Sequence, residues 1–188
     1  GRADWPGHRL LQPPLPGGLP TDAPTLAEKL KKVGYSTACI GKWHLGDRPG
    51  RYPHERGFDQ WYGIPRTTNE SMFTASPGFD PKIIPMPYVV SGERGAPARN
   101  EAIYDLELRR AIDSQLVKRS IAFMQQQQAA GKPFFTYVPL TQLHYPTIPH
   151  HDFAGKSGAG ARLRACSGSF GQNRSHRRGP ALRLCPQH

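Results

Sequence analysis

Acidic residues, cysteines and long apolar runs are all scarce in this 188-residue sequence. Aspartate and glutamate total 14 against 25 lysines and arginines, which gives a formal net charge of +11 at pH 7. The three cysteines are irregularly spaced, which excludes a disulfide framework and a zinc-ligand pattern. No apolar stretch approaches the ~20 residues that a membrane-spanning helix needs, so no membrane partner is predicted.

The two ends of the sequence differ in character from the part between them. The sequence begins Gly1-Arg2-Ala3, without an initiator Met or a signal-peptide pattern, so we expect it to start within a longer protein. Residues 161–188 contain six arginines and no acidic residue. This stretch is a basic disordered arm, a nucleic-acid-binding tail, or the product of a wrong reading frame or misjoined exon. We therefore predict one domain over residues 1–160 and a basic tail over residues 161–188, disordered or out of frame.

Most of the positive charge does not point to nucleic acid. Six of the eleven net charges lie in the tail, and the remaining +5 is ordinary for 160 residues. A basic patch on one face is the usual footprint of nucleic-acid binding, whereas the remaining charge is spread over 160 residues. We predict no nucleic-acid partner.

The first half of the sequence predicts a short helix followed by a strand. Thr25 and Glu28 have the spacing of a capping box, and Gly34 is placed to end the helix in the left-handed conformation. Residues 36–40 are β-prone and predict a buried strand. The apolar face expected for the helix consists of Leu26, Leu30 and Val33.

The second half repeats this order after a segment, residues 47–100, that resembles a long loop. Residues 103–130 predict a long helix, and residues 134–138 predict a second buried strand. The expected apolar stripe of the helix consists of Ile112, Leu116, Val117, Ile121 and Met124. A helix that leads into a buried strand is the repeating unit of an α/β sheet, so the predicted class is α/β.

Both predicted strands are followed by histidine. Lys42 and His44 alternate around Trp43 after the first strand, so both can face one site while Trp43 packs inward. His144 follows the second strand. Because sites in open α/β sheets lie at the carboxyl ends of strands, these residues indicate a functional site.

Residues 34–46 read Gly-Tyr-Ser-Thr-Ala-Cys-Ile-Gly-Lys-Trp-His-Leu-Gly. This run resembles the sulfatase signature G-Y-x-T-x-x-x-G-K-W-H-L-G at every specified position. Further segments resemble that family in type and order: the lead-in at residues 18–27, Arg-Gly-Phe-Asp at 56–59, and the Lys-Pro-Phe-Phe strand at 132–135 with His-Tyr-Pro at 144–146. The resemblance covers about residues 17–160, which would be a partial sulfatase catalytic domain.

The resemblance implies an alkaline-phosphatase-like α/β sandwich in which helices flank a partial central mixed sheet. It implies hydrolysis of a sulfate monoester, such as an aryl sulfate, through a formylglycine nucleophile and a divalent cation, calcium or magnesium. Lys42 would contact the sulfate and the nucleophile, and His44 would orient the nucleophile. His144 would bind the sulfate and help to protonate the leaving oxygen, and Thr67 would place a hydroxyl near the sulfate.

The nucleophile motif of the family, C/S-x-P-S-R, does not occur in the sequence. Cys39 lies inside the predicted strand and is interpreted as a buried small apolar residue. The paired acidic residues that hold the family's cation are also absent, so no metal ligand is predicted in this chain. We therefore expect the isolated chain to be inactive.

Two other functions stay open. Phosphonate and phosphodiester hydrolases of the same superfamily share much of the scaffold, and a non-catalytic basic protein could bind polyanions through the +11 charge. A small-molecule sulfate ester is the expected partner.

Overall fold

The computed structural model describes residues 18–154 and residue 156. The predicted basic tail, residues 161–188, lies outside the described residues. The helices are α1 (Leu26–Lys32) and α2 (Leu106–Ala129). The strands are β1 (Ser36–Ile40), β2 (Gln60–Gly63), β3 (Tyr88–Glu93), β4 (Arg99–Ile103) and β5 (Phe134–Tyr137). Short 3-10 turns cover Pro53–Glu55, Thr68–Ala75 and His151–Phe153.

The strands form one mixed sheet in the order β4-β3-β2-β1-β5. β1 runs parallel to β2 and to β5, with Ala38 opposite Gln60 on one side and Thr136 on the other. β3 and β4 add antiparallel partners beyond β2. The carboxyl ends of β1, β2 and β5 therefore meet at one edge of the sheet.

One helix packs on each face of the sheet. Ala38 and Ile40 of β1 face α2, where they join a buried cluster with Ile112, Leu116 and Phe123. Cys39 points to the opposite face and joins a second cluster that includes Ala27 of α1. The alternation of side chains along β1 thus produces three layers, and the predicted α/β class with a helix-flanked mixed sheet is confirmed.

α1 has the predicted cap but not the predicted apolar face. Thr25 accepts a hydrogen bond from the Glu28 backbone N–H, and the Glu28 carboxylate accepts one from the Thr25 N–H, which confirms the capping box. Leu26 and Val33 are 60% and 69% exposed, whereas Ala27 is buried. The chain at Gly57 approaches α1 so closely that an added Cβ there would lie 2.3 Å from the Glu28 nitrogen. Only a small side chain fits such a contact, so the helix packs through Ala27 instead.

α2 begins three residues later than predicted, because β4 extends to Ile103 and Asp105 caps the helix with its carboxylate. Ile112 and Leu116 are buried as expected, but Val117 and Ile121 are exposed. The buried stripe of α2 consists of Arg109, Ile112, Leu116, Ser120, Phe123 and Gln127. Three of these six buried residues are polar. The prediction followed apolar residues only and therefore included Val117 and Ile121, which are exposed.

The prediction that residues 47–100 form a long loop is wrong. They contain β2, β3 and the start of β4. β4 has the sequence Arg-Asn-Glu-Ala-Ile and is exposed along its whole length. Its strand conformation comes from pairing with β3, and no alternation of apolar and polar residues marks β4 in the sequence.

The strand predicted at residues 134–138 is present as β5, but it is not buried. It lies at the edge of the sheet with β1 as its paired strand, and Phe134 and Tyr137 are exposed. Within the described residues, no helix is long and apolar enough to cross a membrane.

A close backbone approach joins the carboxyl ends of β1 and β2. Gly41 has φ 146°, a value that favours glycine, and its N–H donates to the Tyr62 carbonyl at 2.9 Å. A Cβ added at Gly63 would lie 1.8 Å from the Gly41 carbonyl oxygen. Glycine at position 63 therefore lets the two strands continue side by side into the segment that carries Lys42.

Gly63→Ala should destabilise the fold by at least ~3 kcal/mol, because backbone must move to admit the methyl group. The matched control is Gly95→Ala, whose added Cβ would meet nothing within 4 Å. Its positive φ limits the expected loss to about 1 kcal/mol. Urea denaturation of the two variants checks this, and a Gly63→Ala variant as stable as the control would contradict the close approach.

Candidate active site

The segment after β1 is held on both sides by the segments after β2 and β5. Residues 42–44 lie beyond the end of β1, yet their backbone N–H groups continue the ladder. The bonds run from Lys42 to the Pro139 carbonyl, from Trp43 to the Ile64 carbonyl and from His44 to the Pro65 carbonyl, each 2.9 Å. The backbone that carries Lys42 and His44 is thus fixed by three parallel strands.

Trp43 anchors this segment in the core, as expected. Its side chain is buried, and its indole N–H donates to the Arg51 carbonyl at 2.9 Å. Its ring packs edge-on against Phe58 at a centroid distance of 6.1 Å. Lys42 is half-buried and His44 is exposed, so the flanking side chains reach solvent while Trp43 does not.

His44 adopts an unusual backbone conformation for a residue with a side chain. Its φ of 56° lies in the left-handed region, and His44 is the only non-glycine residue of the described chain with a positive φ. This conformation costs about 1–2 kcal/mol for an L-residue. Such strain is found at functional sites, where the surrounding structure imposes it.

The pKa of His44 depends on the charges of Lys42 and His144. Partial desolvation is the largest cause that lowers the pKa of His44, and the positive charges of Lys42 and His144 lower it further. Asp47 opposes them. Lys42 and His144 therefore lie close enough to His44 to act on its charge, and His44 favours its neutral form.

Lys42 brings a positive charge to the segment after β1. Among the described residues, no carboxylate forms an ion pair with Lys42. Asp47, the acidic residue that acts on His44, pairs instead with Arg66 at 3.1 Å, and Arg66 also pairs with Glu70 at 2.6 Å. Together these contacts leave a cationic site that suits an anion.

The ring of His144 is held through Nδ1. This nitrogen contacts the hydroxyl of Thr68 and lies 2.8 Å from the Tyr145 carbonyl oxygen. Thr68 also donates its own proton to that carbonyl at 2.9 Å, so its oxygen is left to accept. Because both neighbours accept, Nδ1 carries a proton, and Nε2 is the nitrogen that can serve a substrate.

Thr67 and Thr68 differ in what their hydroxyls contact. Thr67 is buried, and its hydroxyl donates to the Asn69 side-chain oxygen at 2.7 Å. Thr68, which sequence reasoning did not single out, is fully buried and contacts His144 directly. The sequence signal for Thr68 was the pair of adjacent threonines after β2, because β2 is parallel to β1 and its carboxyl end lies at the same edge of the sheet.

Arg109 of α2 was also missed. It is fully buried and donates to the His144 carbonyl at 2.9 Å. The signal in the sequence is an arginine in helical register with Ile112 and Leu116, a position where a charge needs a specific partner.

Cys39 is buried in the middle of β1, and burial raises the pKa of its thiol. The interpretation of Cys39 as a small apolar residue is confirmed. A thiol in this environment stays protonated and is a poor nucleophile.

The described residues contain no group of three or more His, Cys, Asp or Glu side chains that could hold a metal ion. A cavity of about 810 Å³ lies at the other end of the sheet, where Ser36 and Gln60 begin β1 and β2. Lys42, His44, Thr67 and His144 do not line it.

Comparison with known proteins decides the family. A model of the family described as Sulfatase matches residues 7–162, which is most of the chain. The chain belongs to the sulfatase family. Mouse arylsulfatase G is 34% identical over 144 residues, which cover 69% of this chain and 27% of the relative. Dog N-acetylgalactosamine-6-sulfatase is 33% identical over 146 residues, which cover 77% of this chain and 27% of the relative.

A solved sulfatase structure shares the fold. The PsFucS1 sulfatase from Pseudoalteromonas sp. matches with a TM-score of 0.67 and 29% identity, over 76% of this chain and 31% of that chain. This likeness confirms the predicted alkaline-phosphatase-like architecture of the sulfatases. The chain spans about 27% of the length of the curated sulfatases described above.

Lys42→Met should raise the pKa of His44, because it removes a positive charge that disfavours the imidazolium. A lowered His pKa means that folding stability falls as pH drops through 6.5, the ordinary value, and the variant should show less of this fall. NMR titration of the His44 ring protons measures the pKa directly.

Lys82→Met is the control, since Lys82 is an exposed lysine that does not act on His44. An unchanged His44 pKa in Lys42→Met, or an equal rise in both variants, would show that Lys42 and His44 do not share a site.

Proposed function

We propose that this chain supplies the sulfate-binding and proton-transferring side chains of a sulfuric ester hydrolase. The proposal is supported by the position of Lys42 and His44 after β1 and of His144 after β5, together with the effect of Lys42 and His144 on the pKa of His44. Its relatives include an arylsulfatase and a sugar 6-sulfatase, so aryl and sugar sulfates are the candidate substrates. The formylglycine nucleophile and the residues that hold the divalent cation would come from segments outside this chain.

Lys42 would bind the sulfate group. A sulfate monoester carries one negative charge, and further charge develops on the leaving oxygen as the S–O bond breaks. A fixed cation without a carboxylate partner stabilises that charge without reorganising. Lys42 meets this requirement among the described residues.

The two histidines suit opposite roles in proton transfer. His44 favours its neutral form and can accept a hydrogen bond from the hydroxyl of the nucleophile, which orients it for attack. His144, with Nδ1 held by Thr68 and Tyr145, presents Nε2 to the substrate. When protonated, Nε2 can donate its proton to the leaving oxygen.

Thr67 has a more limited role in this proposal. Its hydroxyl proton is donated to Asn69, which leaves an oxygen that can only accept. A sulfate group needs donors, so we assign Thr67 to shaping the wall of the site beside Arg66.

The test is the kinetics of a full-length enzyme in which this chain is joined to the nucleophile and cation-binding segments. Lys42→Ala, His44→Ala and His144→Ala should each lower kcat by about 100- to 1,000-fold, because each removes a preorganised group that acts on developing charge. KM should change less. An aryl sulfate and a sugar 6-sulfate are the substrates.

Cys39→Ala is the control, and its turnover should stay near that of the unaltered enzyme despite some loss of stability. Near-normal kcat in the Lys42 and His44 variants would overturn the assignment. Faster hydrolysis of an aryl phosphonate monoester or a phosphodiester than of either sulfate would favour the other hydrolases of the superfamily.

A further inference from the structure

The segment that carries His144 has no regular secondary structure to hold it. Between β5 and the turn at His151–Phe153, residues 138–150 contain no helix or strand. Two backbone hydrogen bonds close turns within it, from the His144 N–H to the Thr141 carbonyl at 3.2 Å and from the Ile148 N–H to the Pro146 carbonyl at 3.1 Å. The position of His144 must therefore be fixed by side chains from elsewhere.

Arg109 of α2 supplies four of these contacts. One terminal nitrogen of its guanidinium donates to the Thr141 hydroxyl at 2.7 Å. The other donates to the carbonyl of Thr141 at 3.2 Å, the side-chain oxygen of Gln142 at 3.3 Å and the carbonyl of His144 at 2.9 Å. The guanidinium thus donates hydrogen bonds to residues 141, 142 and 144, and the last of these bonds goes to the backbone of His144 itself.

Asp113, one helical turn further along α2, holds the same segment from its N–H side. Its carboxylate accepts hydrogen bonds from the backbone N–H of Thr141 at 2.8 Å and of Gln142 at 2.9 Å. It also accepts the hydroxyl proton of Thr141 at 2.8 Å, while the oxygen of that hydroxyl accepts from Arg109. Thr141 therefore links Arg109 to Asp113, and the three residues are called here the α2 clamp.

We propose that Arg109 and Asp113 are positioning residues of the active site, which act through the α2 clamp to aim the imidazole of His144. The proposal rests on the function proposed above for His144. Arg109 is fully buried and sits in the stripe that also contains Ile112 and Leu116. An apolar side chain would pack there without the penalty of burying a charge, so packing alone does not explain Arg109.

The clamp acts on the ring through the backbone. Arg109 fixes the His144 carbonyl, and the next carbonyl along the chain, that of Tyr145, accepts the Nδ1 proton of the ring. The hydroxyl of Thr68 donates to the same Tyr145 carbonyl and contacts the same ring nitrogen. Movement of the segment would separate Nδ1 from these acceptors and free the ring to change tautomer and direction. A displacement of ~1 Å in a catalytic group can lower the rate about 100-fold.

The experiment reads the tautomer of His144 by ¹⁵N NMR of its ring at pH 8, in the 188-residue chain without substrate. The unaltered chain should show the Nδ1–H tautomer. Arg109→Lys keeps the charge but loses the planar fork of donors, and Asp113→Asn removes the negative charge at constant shape. Both should give a mixture of tautomers with far-UV circular dichroism unchanged.

Arg119→Lys is the matched control. It makes the same change in the same helix, but Arg119 lies over the Tyr62 ring and not against the His144 segment. It should leave the tautomer of His144 unaltered. In the full-length enzyme, Arg109→Lys should lower kcat about 10- to 100-fold with little change in KM, and Arg119→Lys should alter neither.

A pure Nδ1–H tautomer in folded Arg109→Lys and Asp113→Asn would overturn the proposal. If Arg109→Lys does not fold, Asp113→Asn and Thr141→Val, which removes the shared hydroxyl, decide by the same measurement. Loss of folding in all three would also overturn it, because the clamp would then support the whole fold. The tautomer is read without substrate, so a failure of sulfate hydrolysis in the unaltered full-length enzyme would be a separate result.

Discussion

The approach of two glycine backbones at the carboxyl ends of β1 and β2 is the constraint on which the rest of the site depends. An added Cβ at Gly63 would lie 1.8 Å from the Gly41 carbonyl oxygen, so the chains run together only without side chains. This contact lets residues 42–44 bond to the segments after β2 and β5. Trp43 lies between Lys42 and His44 in the chain and is buried, so the side chains of Lys42 and His44 point to the other side, toward solvent.

The electrostatics of the site follow from where the carboxylates are placed. Asp47 and Glu70 both pair with Arg66, and Asp113 holds backbone N–H groups. Lys42 has no ion pair with a carboxylate among the described residues, and its charge and that of His144 push His44 toward its neutral form. A site with a surplus of positive charge and two imidazoles in different surroundings suits an anionic ester whose cleavage needs proton transfer.

Sequence reasoning located the parts of the fold that depend on local signals. The capping box at Thr25, the strand of residues 36–40 and the inward direction of Trp43 each follow from spacing or alternation. β4 and the buried stripe of α2 could not be found in this way, because exposed polar residues form the strand and Arg109, Ser120 and Gln127 lie in the stripe. Thr68 and Arg109 were missed for a related reason: the sequence marks their positions, but it does not show which distant segment their side chains contact.

The central claim is that Lys42, His44 and His144 form one binding site for a sulfate group. Titration of the chain with inorganic sulfate, at pH 7 and constant ionic strength, tests it most directly through the ring protons of its histidines. The account predicts that the signals of His44 and His144 move together along one saturation curve, that buried His54 does not respond, and that Lys42→Met weakens the binding. Separate saturation curves for His44 and His144, or a response of His54 equal to theirs, would contradict it.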